Sequence, residues 1–187
     1  MKKLILIVLC LSFFSVPQAS ALKIGGVTLS ESLTAESAQL VLNGAGLRKK
    51  FFIKIYAGAL YLKKRTSDPK TIIDADEEMA IRMHWIRDGV PVEKIIAGWN
   101  TGFETGMDGN LTAFKTQIDQ FNSFFTVDAK ANDIYDIIYT PAKGVQVLIN
   151  GKLKGSIKGF PFKKAVFSIW LGNNKELGSV KTGMLGK

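Results

Sequence analysis

LNGAGLRKKFFIKIYAGALYL, residues Leu42 to Leu62, is the stretch on which the fold turns. Three cations, Arg48, Lys49 and Lys50, run straight into an apolar segment, Phe51 to Leu62, that carries Lys54 and Tyr56 in its middle. Its odd positions Phe51, Ile53, Ile55, Ala57 and Ala59 are all apolar, whereas its even positions Phe52, Lys54, Tyr56, Gly58 and Leu60 are mixed. A period of two is the mark of a strand. One face is therefore expected in a core and the other against more varied neighbours. Gly58 inside the strand signals a bend or a close approach by something packed on it.

Working outward, Lys23 to Leu29 reads as a short opening strand and Gln39 to Leu47 as a second that ends in Asn-Gly-Ala-Gly. A short helix or turn follows Asp68-Pro69, and Met79 to Arg87 alternates as a strand with Met79, Ile81, Met83 and Trp85 on one side. Pro91 suits a first helical position, and Val92, Ile95, Ile96, Trp99 and Phe103 then recur at helical spacing. A glycine-rich break, Gly106 to Asn110, leads to a second helix striped by Leu111, Phe114, Ile118 and Phe121. Ile134 to Tyr139 reads as a strand, and Val145 to Ile157 as a hairpin about Asn150-Gly151. A last helix, Lys163 to Leu171, stops at Gly172, placed as a C′ glycine. Strands, helices, strands, helix is an α+β order: an antiparallel sheet with helices gathered on one face.

Residues 1–21 have the form of a signal peptide: Lys2 and Lys3, an apolar run from Leu4 to Val16, and an A-x-A site at Ala19-Ser20-Ala21. Cleavage there removes Cys10, the only cysteine, and leaves one domain, residues 22–187, in the periplasm or outside the cell without disulfide or thiolate chemistry. The net charge of +9 falls to +7 when Lys2 and Lys3 go, because the leader holds no acid. A basic chain favours anionic partners such as acidic ligands or an anionic membrane surface. Export argues against nucleic acid.

One histidine, His84, cannot assemble a zinc cluster and has no motif supplying a nucleophile beside it. The glycines from Gly102 to Gly109 join two helices, whereas a phosphate loop follows a strand, so no cofactor is expected. Arg48 and Tyr56 remain. A guanidinium can hold a carboxylate bidentately, and a phenol on the mixed face of the strand can donate to the same group. With Lys54 nearby and walls from Phe52, Leu60, Ile95, Trp99 and Phe103, the space between sheet and helices would suit an acyl chain with a carboxylate head. Equally, Arg48 could end a strand and Tyr56 could fill core.

Asn43-Gly44-Ala45-Gly46-Leu47-Arg48 with Ile53-Lys54-Ile55-Tyr56-Ala57-Gly58-Ala59-Leu60-Tyr61-Leu62 resembles the signature of the chalcone isomerase-like superfamily. Pro91-Val92-Glu93-Lys94-Ile95, Gly98-Trp99 and the closing Phe167-Ser168-Ile169-Trp170-Leu171-Gly172 continue the resemblance in order. It implies an open-faced β-sandwich with a ligand cleft, and either an isomerase that cyclises a phenolic enone or a non-catalytic fatty-acid binder. The family's arginine falls on Arg48. The isomerase's strand threonine falls on Tyr56, its helix tyrosine on Pro91 and its helix asparagine on Gly98. An arginine with a tyrosine is the pattern of the fatty-acid-binding branch.

Overall fold

The computed structural model describes residues 21–107 and 111–187. The expected signal peptide, with Cys10 and all of the A-x-A sequence but Ala21, lies outside the described residues, as do 108–110 of the glycine-rich break. The opening strand is in fact a hairpin, β1 (Ala21–Ile24) and β2 (Val27–Ser30), turned at Gly25 and Gly26, both at positive φ. Seven further strands form one antiparallel sheet in chain order: β3 (Ser32–Thr34), β4 (Gln39–Lys50), β5 (Ile53–Leu62), β6 (Met79–Trp85), β7 (Ile134–Thr140), β8 (Gly144–Ile149) and β9 (Lys152–Ile157). Helices α1 (Pro69–Asp74), α2 (Val92–Gly106), α3 (Lys115–Ser123), α4 (Phe160–Leu171) and α5 (Gly178–Met184) complete it. This curled antiparallel sheet with its helices is the expected α+β architecture.

Both faces of β5 are covered, by different things. Tyr56, Leu60 and Leu62 join the main core with residues of α2, α3, α4 and α5. Ala57, Ala59 and Tyr61 face the other way, onto a smaller core made with Val27, Leu29, Leu33 and Leu40. The β1–β2 hairpin thus lids one patch of the outer face.

Asn-Gly-Ala-Gly does not end a strand; β4 runs through it to Lys50. Asn43 bulges out of the pairing between Leu42 and Gly44. Its amide nitrogen donates to Thr66 O and Met184 O, and its oxygen accepts from Thr66 N. The glycines then allow a helix to lie directly on the strand. A Cβ on Gly46 would stand 2.5 Å from Val180 Cα, and one on Gly44 only 2.2 Å from Gly183 O. Gly58 answers to the same cause, with Met184 and Val180 above it.

The helix that docks there, α5, has no counterpart in the sequence reading. The final helix expected from Lys163 begins earlier, at Phe160, and Gly172 closes it in extended backbone (φ −77°) instead of the left-handed C′ geometry. The second stripe opens as a 3-10 turn, Thr112–Phe114, before α3. Buried over most of its length, α4 carries a lysine into the core. Lys163 Nζ donates to Ile72 O, Ile73 O and Ala75 O at 2.7, 2.9 and 2.7 Å, so it caps the carbonyl end of α1. The terminal carbonyls of any helix lack intrahelical partners, and here a side chain from another helix satisfies two of them and the carbonyl of the C-cap Ala75.

Candidate functional site

The expected strand from Phe51 starts two residues later, because Phe51-Phe52 is the two-residue turn between β4 and β5. Arg48 and Tyr56 are directly opposite each other across these strands and so share a face. Between that pair and the next, Lys49 with Lys54, the register slips by one residue of β5. A bulge of this kind breaks the alternation of side chains. Ile53 and Ile55 consequently join Tyr56 on the helix side, while Lys54 turns out toward the Gly25 carbonyl, 3.4 Å away.

Beyond the bulge a cleft of about 730 Å³ opens between the ends of β5 and β6 and the side of α2. Ligand pockets generally span roughly 300–1,000 Å³. Its walls include Ile53, Ile55, Met83, Trp85, Ile95 and Trp99, with Arg48 and Tyr56 at one end. Four site residues named from sequence stand elsewhere. Phe52 is 99% exposed at the turn, Lys54 points outward, and Leu60 and Phe103 are fully buried in the core between sheet and helices. Phe103 sinks there because it meets Phe121 edge to face and stacks on Phe162. Arg48, Tyr56, Ile95 and Trp99 are brought together. His84 sits on the outer face with its Nε2 buried and unpartnered, and no cluster of metal-ligating side chains exists among the described residues.

The polar end has two elements. Arg48 donates to the Glu176 main-chain oxygen and, at 2.7 Å, to its carboxylate Oε2. Glu176 comes from a 3-10 turn, Lys175–Leu177, that closes the cleft beyond α4, and its own side chain is 71% exposed against 19% for Arg48. An ion pair open to water on one side contributes about 0–1 kcal/mol, so the carboxylate is easily exchanged. Tyr56 Oη accepts from Trp170 Nε1 at 3.2 Å, and its own proton has no acceptor among the described residues. The cleft-facing indoles Trp85 and Trp99 also leave their Nε1 donors unpaired. Glu176 escaped the sequence reading because nothing links it to Arg48 along the chain. Only the docking of α5 does so.

Burial pushes the Tyr56 phenol up to about 12, against the opposing pull of the Trp170 hydrogen bond and the Arg48 charge. In the unfolded chain it titrates near 10. Between these values the folded state holds the extra proton, so Tyr56 adds stability below pH 10 that is lost as the pH rises toward 12. Denaturant titrations should show wild type losing about 2–3 kcal/mol more than Tyr56→Phe across that window. Tyr135 and Tyr139, also raised by burial, are common to both proteins and cancel. Parallel profiles for the two proteins would place the phenol in water.

A curled antiparallel sheet with helices over one face and a cleft between them defines an α+β class of which solved examples exist. The crystal structure of an Arabidopsis thaliana fatty-acid binding protein superposes with a TM-score of 0.68 over 90% of this chain and 100% of that one, at 14% sequence identity. At that identity the likeness is one of fold. No curated protein matches the sequence. The sequence itself matches the chalcone isomerase-like family over residues 21–186, and the chain belongs to that family.

Proposed function

We propose that this protein is an exported, non-catalytic carrier that holds a fatty acid or similar amphipathic carboxylate in the cleft between sheet and α2. One observation supports this most: the protein's own Glu176 carboxylate rests on Arg48 beside the unspent proton of Tyr56. A ligand carboxylate would exchange with Glu176, pair with Arg48 and accept from Tyr56. The alkyl chain would run along Ile55, Trp85, Ile95 and Trp99. The fold shared with a fatty-acid binding protein adds weight. The charged, apolar and A-x-A sequence of residues 1–21 supports export. Of the isomerase's residues this cleft keeps only Arg48: Tyr56 stands at the threonine position, and Pro91 and Gly98 line the cleft without a side-chain donor.

A hydrogen bond to a charged group contributes about 1.5–3 kcal/mol net, whereas each buried CH₂ contributes about 0.8 kcal/mol. Hexadecanoate should therefore bind at least about 100-fold more tightly than octanoate. Arg48→Ala should weaken hexadecanoate by about 10–100-fold, and Glu176→Ala, which removes the competitor, should tighten it a few-fold. Fluorescence displacement titrations on residues 22–187 read all three. Equal affinities for the two acids, or no binding with a clean apo mass in native mass spectrometry, would end this assignment.

A further inference from the structure

The two tight hairpins of the sheet solve the same problem in opposite ways. Between β8 and β9 the turn is Asn150-Gly151, with φ of 50° and 75°, the residue types that tolerate the left-handed region. Between β4 and β5 the turn is Phe51-Phe52, and Phe51 adopts φ 54°. A bulky side chain there is a backbone outlier. Nothing in the fold repays it, because Phe51 is 86% and Phe52 99% exposed and the next residue, Ile53, is 47% exposed.

The surroundings are basic. Lys49, Lys50 and Lys54 flank the aromatic pair, are exposed, and enter no ion pair among the described residues. No acidic residue occurs between Glu36 and Asp68, so the whole β4–β5 hairpin is free of negative charge. Lys50 and Phe51 also form the lip of the cleft, where Arg87 and Lys94 add two more cations. Exposed aromatics amid lysines are the composition that seats in the headgroup region of an anionic bilayer. A narrow two-residue tip has no groove to track a nucleic-acid strand, and a second copy would bring like charges together.

We infer that the Phe51-Phe52 turn is a membrane-docking finger that inserts into anionic lipid surface and sets the mouth of the cleft against it. The anchorage is peripheral: no helix among the described residues is long and apolar enough to cross a membrane.

Vesicle flotation tests this on residues 22–187, the segment that holds every described element save Ala21 and lacks the apolar leader. With vesicles of mixed phosphatidylcholine and phosphatidylglycerol, wild type should partition at low salt and release at high salt. Phe51→Asn together with Phe52→Gly should weaken partitioning by at least about tenfold while the melting temperature holds or rises, because the turn is relaxed. Lys49→Glu with Lys50→Glu should abolish the preference for anionic over neutral vesicles. Phe52→Trp should report a blue-shifted emission on vesicle addition. The inference is overturned if wild type ignores anionic vesicles at low salt or if the Asn/Gly variant partitions like wild type. It is equally overturned if the tip serves only self-association or oligonucleotide binding. No fatty acid is needed in this assay, so its failure and that of the carrier assignment are seen separately.

Discussion

Lys163→Met should lower the unfolding free energy by about 3 kcal/mol, a drop in melting temperature of roughly 6–12 °C for a domain of this size. The ammonium holds three carbonyls at the end of α1 and lies over the rings of Tyr139, Phe160 and Phe167. Methionine fills the volume yet leaves those carbonyls buried without donors. Release of the ammonium's own desolvation penalty offsets part of the loss, which keeps the figure near 3 instead of higher. A pH profile separates this from simple repacking. Burial pulls the Lys163 ammonium down to about 8 from 10.5, against Asp76, Asp74 and Glu77. Between those values the unfolded chain carries the extra proton, so wild-type stability should gain a rising component from pH 8 toward pH 10.5. That component should vanish in Lys163→Met. An unaltered melting point, or the same slope in both proteins, would mean the amine reaches water.

Gly46→Val should cost about 3–5 kcal/mol. Its side chain would begin 2.5 Å from Val180 Cα and 2.6 Å from Val180 O, and main chain cannot yield as a flexible side chain can. The relief open to the molecule is to lift α5 off β4, which exposes Val180 and Met184, both fully buried. Hydrogen exchange should show amides of residues 178–184 losing protection while β6, β7 and β8 keep theirs. Because Glu176 precedes α5 directly, the same variant should also free Arg48 from its internal carboxylate. Full protection of α5 in Gly46→Val would refute the close packing.

What could be read in advance follows from which forces are local. The stripes of α2 and α3, the alternation of β6 and the Asn150-Gly151 turn each need only residues near in sequence, and each was legible. Parity along β5 was legible only as far as the bulge. Counted past it, the alternation puts Lys54 beside Tyr56 and Phe52 behind it, whereas one unpaired residue turns Lys54 away and leaves Phe52 at a turn. The pattern places Leu60 and Phe103 in a cleft wall, but the helices meet the sheet without a gap at their level, and that depends on the sum of all the side chains there. The helix α5, Gly-Ser-Val-Lys-Thr-Gly-Met, has glycines at two of its positions and only Val180 and Met184 as an apolar face. Intrinsic preference opposes it. It exists because Gly44 and Gly46, far upstream, leave it a flat bed.

That bed has a bearing on the order of events when the protein is made. Arg48 and Glu176 stand 128 positions apart, and Asn43 is anchored to the Met184 carbonyl 141 positions downstream. Contacts of such separation close slowly, after local structure has formed. Sheet strands and α2 pair residues closer in sequence, but the polar end of the cleft waits for residues 176–184. The polar end of the cleft therefore closes later than a hairpin such as β8–β9, whose paired residues are neighbours in sequence.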